Sequence, residues 1–75
     1  MYILEFENSR GVRRKVTSFK PDGRDPIAIA MEYIHVFCEK RNFRIYYTRM
    51  WNTKEDETCF DVGSHTEFFY LTKIE

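Results

Sequence analysis

Glycine is scarce in this chain, three residues in 75, and none sits in a phosphate-cradling loop or a dinucleotide-binding fingerprint. Two cysteines cannot build the disulfide framework of a small secreted domain, so both are expected as reduced thiols. Charge of one sign is missing too. Twelve basic and twelve acidic residues cancel, which removes any general attraction to nucleic acid or to an anionic membrane. No apolar run approaches the roughly 18 residues of a membrane span. The opening MYILEFENSR carries neither a basic leader nor an export cleavage site. The expected compartment is therefore the cytoplasm, without membrane contact. Length leaves room for one domain over residues 1–75 and one modest core, so a partner or a second copy is a reasonable source of further burial.

What is present is hydrophobic and aromatic content high enough to specify a folded chain. The stretch that organises it is Asp25 to Asn42, DPIAIAMEYIHVFCEKRN, where a helical period is sustained. Asp25 can cap the free N–H groups of the first turn, and Pro26 suits the first helical position. Asn42 tolerates the left-handed conformation of a C-terminal stop, behind the cations Lys40 and Arg41. Ile27, Ala30, Met31, Ile34, Phe37 and Cys38 fall on one stripe and predict the core face. Ile29, Tyr33 and Val36 gather on roughly the opposite side, where charges would be expected. That second stripe predicts either a covering segment of the same chain or a partner.

Around the helix the sequence reads as strands and turns. Tyr2–Glu7 alternates, with Tyr2, Leu4 and Phe6 on one face and Ile3, Glu5 and Glu7 on the other. Asn8–Gly11 is a turn by composition, and Val12–Phe19 returns to complete a hairpin. Lys20–Gly23 is a second turn that delivers the chain to the helix. Phe43–Trp51 has strand character, Asn52–Thr58 reads as an exposed polar loop, and Cys59–Val62 predicts a short strand closed by a turn at Gly63-Ser64. Thr66–Ile74 is the last strand, apolar on both faces, and so expected to be central or sealed by a partner. The prediction is an α+β fold: a single helix on one face of a mainly antiparallel sheet, order β-β-α-β-β-β, with the fourth strand the weakest signal.

Few constellations point to chemistry. His35 and Cys38 on the helix, with Cys59 and His65 around the last hairpin, supply four zinc-type donors, but His-x-x-Cys and Cys-x5-His lack the paired-cysteine knuckle. Cys59, His65 and Asp61 could be drawn as nucleophile, base and orienter, yet no oxyanion-hole glycine run accompanies them. Asp56, Glu57 and Asp61 read as solvated loop charge. No cofactor, metal or enzymatic role is expected.

The leading expectation is a small protein-binding module, an accessory or inhibitory factor. The phage-encoded inhibitors of host or defence proteins exemplify that class of compact, motif-free chains. Its binding residues are expected among Ile29, Tyr33, Val36, Tyr47, Arg49 and Trp51, since aromatic and arginine side chains dominate binding hot spots. Homodimerisation is the subsidiary expectation. The alternative is a nucleic-acid-binding module in which a basic hairpin (Arg10, Arg13, Arg14, Lys15) and an aromatic strand (Arg44, Tyr46) hold phosphates and stack bases. For the hairpin, Glu5 and Glu7 pairing with these cations is the plainer expectation; contact with phosphate or an acidic protein is the sharper one.

Overall fold

The computed structural model describes residues 1–74. The elements are β1 (Tyr2–Glu7), β2 (Arg13–Phe19), α1 (Pro26–Lys40), β3 (Arg49–Lys54), β4 (Glu57–Asp61) and β5 (Phe68–Lys73). They form one five-stranded antiparallel sheet in the order β2-β1-β5-β4-β3, as the α+β reading requires. The chain makes a hairpin, crosses one face of the sheet as α1, then returns as a three-strand meander. β5 lies in the centre, which accounts for apolar residues on both of its faces. Its outer partner β1 brings the two chain ends together, with the Met1 and Ile74 backbones exchanging bonds of 2.8 and 3.2 Å.

Local chemistry sets the helix limits. The Asp25 carboxylate accepts from the Ile27 N–H at 3.0 Å, with Pro26 at the first helical position. At the other end Asn42 takes φ +57°, the Phe43 N–H donates to the Cys38 carbonyl at 2.8 Å and the Asn42 N–H to Glu39 at 3.3 Å. That pair of bonds is a Schellman stop, and it satisfies carbonyls the last turn would otherwise leave bare. The hairpin turn before it also follows its sequence: Asn8 Oδ1 accepts from the N–H groups of Arg10 and Val12, and Gly11 sits at φ +78°.

The core lies between α1 and the sheet face carrying Leu4, Phe6, Phe60, Phe69 and Leu71, closed from the helix by Ala30, Ile34 and Cys38. Phe6 is its hub, with ring centroids 4.8 Å from Phe37, 5.1 Å from Phe69 and 6.0 Å from Phe43. Such offset and tilted aromatic pairs add about 0.5–1.5 kcal/mol each beyond area burial.

Three sequence expectations need correction. The third strand is Arg49–Lys54 and not Phe43–Trp51. After the helix stop, Phe43 and Ile45 tuck against the core instead of pairing, and Tyr46 makes one backbone bond to Val62 at 3.1 Å. Edge strand β3 lies outside the cover of α1, so all six of its residues stay exposed and it needs no apolar alternation. The fourth strand begins at Glu57 within the expected polar loop, and its residues are the most deeply buried of any strand. Ile29 is 7% exposed, buried within the chain itself. Of the second helical stripe, Tyr33 and Val36 stay exposed, Tyr33 with its ring stacked on Phe19 of β2 at 5.8 Å.

Candidate partner-binding site

The sheet face away from α1 is exposed at its β3 border, at Arg49 and Trp51, and covered over β4. Its residues include Glu5 and Glu7, Arg13, Tyr70, and the alternating set Glu57, Cys59 and Asp61. Glu57 and Asp61 are only 5% and 4% exposed, far from the solvated loop charges their sequence context predicts. Arg13 explains Glu57. Its guanidinium lies 3.5 Å from the Tyr70 ring centroid and donates to Glu57 Oε2 at 2.8 Å, with Glu7 at 3.7 Å and Glu5 at 3.8 Å. The Thr53 hydroxyl donates to the other Glu57 oxygen at 2.5 Å, and Tyr70 Oη donates to Glu7 at 3.2 Å. β2 and β4 are three strand spacings apart, about 14 Å on a flat sheet. Two side chains meeting across that gap require the sheet to curl inward, and register shifts in the edge hairpins, at Leu4/Glu5 and Asn52/Lys54, add to such curvature.

Burial pushes the Glu57 carboxyl up, but the hydrogen bonds from Arg13 and Thr53 and the Arg13 charge outweigh it and hold it below the usual carboxylate range. Asp61 follows the same pattern. Burial acts upward, and the Arg49 hydrogen bond at 2.8 Å, the Gly63 N–H at 2.9 Å and the Arg49 charge bring it down. No buried side-chain nitrogen or oxygen among the described residues lacks a partner. The carboxylates there are satisfied, and Arg13 pairs with glutamates, the plainer of the two expectations for the hairpin cations.

The chemical candidates do not assemble. Cys38 belongs to the core under the helix, whereas Cys59 alternates with the core residue Phe60 onto the opposite face, so the sheet stands between the two thiols. His35 and His65 are exposed, and among the described residues no group of three or more His, Cys, Asp or Glu is placed to hold a metal. Burial pushes the Cys59 thiol up, as do the nearby carboxylates, against a smaller opposite pull from the Tyr70 hydrogen bond. An activated thiol needs the reverse. Asp61 is held by Arg49 and the Gly63 backbone, and among the described residues no hydrogen bond joins it to His65.

Exposed apolar side chains collect on two flanks. On the first, Tyr46, Tyr47, Met50 and Trp51 are 43–68% exposed along and just before edge strand β3. Arg49 lies 5.2 Å from the Tyr47 ring centroid, and Arg44 lies 5.8 Å from that of Tyr46. A cleft of about 330 Å³ opens behind Tyr46, floored by Phe6, Phe43, Val62 and Phe69. Gly63 makes that approach feasible: at φ +98° a Cβ there would sit 2.8 Å from Tyr46 Cβ. On the second flank, Tyr33 and Val36 of α1 stand 39% and 50% exposed beside β2.

The expected binding residues thus divide. Tyr47, Arg49 and Trp51 stand at the β3 edge, Tyr33 and Val36 at the β2 edge, and Ile29 is withdrawn into the interior. The nucleic-acid set divides in the same way, with Arg10, Arg14 and Lys15 at the β2 side and Arg44 and Tyr46 at the β3 side. Met50 and the cation Arg41, which lies 4.7 Å from the Phe37 ring centroid, were not singled out by sequence reasoning. The sequence signal for Met50 was its place between Arg49 and Trp51 in an aromatic-rich stretch; Arg41 gave none beyond its position at the helix end. Neither a family model, nor a curated protein, nor a solved structure matches this chain.

Proposed function

We propose that this protein is a small non-enzymatic protein-binding module acting in the cytoplasm. It is an accessory or inhibitory factor, of the class that phage-encoded inhibitors of host or defence proteins exemplify, and it works by occupying a surface of its partner. The observation that carries the reading is edge strand β3: all six residues are exposed, and Tyr46, Tyr47, Met50 and Trp51 stand on or beside it. An edge strand offers unpaired backbone groups, and exposed aromatic and methionine side chains are the usual anchors of protein interfaces. Buried thiols on opposite faces of the sheet, which cannot pair within the chain, agree with a reducing compartment.

A second copy is the subsidiary occupant. Pairing β3 with itself over its full length sets Arg49 of one copy opposite Lys54 of the other, a like-charge pair that favours a different partner. Light scattering that shows a monomer at high concentration removes the dimer form.

The test is affinity capture from native lysate after nuclease treatment. The captured protein should be stoichiometric, and Tyr47→Ala with Trp51→Ala should weaken its binding at least about tenfold, since each anchor is worth about 2 kcal/mol or more. Capture that disappears with nuclease would instead favour the nucleic-acid reading, for which Arg10→Glu with Arg14→Glu, which spares the Arg13–glutamate cluster, abolishes binding.

A further inference from the structure

Between edge strand β2 and helix α1, two clefts of about 240 and 350 Å³ share Val16 and Phe37, so they form one continuous groove. Its apolar part is made by Tyr33, Val36, Phe37 and Val16, with Val12 at the far end. Its polar part is mainly cationic: Arg14, Lys15, Lys40 and Arg41 line it beside the neutral Asn8 and Thr17, and no aspartate or glutamate does. None of these four makes a salt bridge among the described residues, whereas neighbouring Arg13 is held by three glutamates on the other side of the sheet. In a chain of zero net charge, this side therefore carries uncompensated positive charge.

Arg41 is prearranged for a ligand. Its guanidinium lies 4.7 Å from the Phe37 ring centroid and 5.9 Å from that of Phe6, and among the described residues no carboxylate forms a salt bridge with it. An isolated phosphate would use only the end carrying Arg14 and Arg41 and leave Tyr33 and Val36 unexplained. Each cleft alone lies at or below the small end of the roughly 300–1,000 Å³ range of small-molecule sites, and the two together make a channel along a strand rather than a cavity. An occupant must be long, partly apolar and negatively charged.

We propose that the β2–α1 groove binds an extended acidic segment of a partner protein, seating large apolar side chains on Tyr33, Val36 and Phe37 and carboxylates on Arg14, Lys40 and Arg41. This rests on the protein-binding reading and assigns it a second surface, one sheet's width from β3. As the outer strand, β2 also turns backbone donors and acceptors outward, which an extended segment can pair with where the bulge at Val16 permits.

The probe is a random peptide library of about nine residues, long enough at about 3.4 Å per residue to run the seven residues of β2. It is panned against the full chain. Recovered peptides should be net negative with two or more large apolar residues. A synthetic consensus should lose at least about tenfold in affinity with Arg14→Gln plus Arg41→Gln, and a similar factor with Val36→Asp. It should change by no more than roughly twofold with Tyr47→Ala plus Trp51→Ala, which lie on the opposite edge. Far-ultraviolet circular dichroism confirms that each variant is folded, and the milder Arg→Gln pair serves if Val36→Asp is not. No enrichment over an unrelated control domain, neutral or basic consensus sequences, a footprint on β3, or an oligonucleotide that binds with the same arginine dependence would each overturn the proposal. Partner capture through β3 that survives such a result would leave the protein-binding reading standing, so the two failures are told apart.

Discussion

Arg13 shows how one side chain can decide the character of a whole face. Stacked on Tyr70 and bonded to Glu57, it keeps a carboxylate buried on what alternation marks as an exposed face. Replacing Glu57 with glutamine should cost about 1–2 kcal/mol at pH 7, below the full value of a broken buried pair because Arg13 is one-third exposed and keeps Glu5 and Glu7. The sign with pH follows from the lowered carboxyls. Glu57 and Asp61 release their protons more readily folded than unfolded, so their stabilisation is complete above the unfolded value near pH 4 and is lost as pH falls through the folded values beneath it. Urea midpoints should fall below about pH 4, and Glu57→Gln should approach the parent there. Gly63 is the other decisive residue. Gly63→Ala meets both an unfavourable positive φ and the Tyr46 side chain, and should lower stability by about 1–3 kcal/mol in the same measurement.

Among the elements, α1 was the most legible in sequence and β3 the least, for related physical reasons. The helix announces itself through local chemistry: the Asp25 cap, Pro26, and the Asn42 stop are each settled within a few residues. Asp25→Ala should therefore cost about 1 kcal/mol, and Asn42→Gly should be neutral or slightly stabilising while Asn42→Ala is not, as read by thermal denaturation. β3 is defined by what lies beside it. Phe43 and Ile45 look like strand residues but are spent on the core, and the polar Asn52-Thr53-Lys54 looks like a loop but pairs with β4. The same non-locality hid the site. The basic residues of the hairpin read alike in sequence, yet Arg13 faces the glutamates while Arg14, one residue on, lines the groove under α1. Tyr33 and Val36 were visible as a second stripe; that Ile29 would leave it was not.

Across the whole molecule, the sheet separates two unlike flanks. The β3 edge is aromatic with Arg49 and Lys54 on the strand; the β2–α1 groove is apolar and cationic. No helix of the described residues is long and apolar enough to cross a membrane. Central strand β5 bonds the N-terminal hairpin to the meander, so Phe69→Ala, which opens the core where Phe6, Phe37 and Phe60 meet it, should destabilise both halves together by about 3–5 kcal/mol. Chemical denaturation followed at Trp51 fluorescence and at helical ellipticity should give one coincident transition. The claim that the molecule works by surface occupation is tested most directly by calorimetric titration of the purified captured partner against three folded proteins. These are the parent, Tyr47→Ala with Trp51→Ala, and Tyr33→Ala with Val36→Ala. The account predicts an affinity loss of at least about tenfold for the Tyr47 and Trp51 pair, with the Tyr33 and Val36 pair reporting on the groove; unchanged affinity in the Tyr47 and Trp51 pair would contradict it.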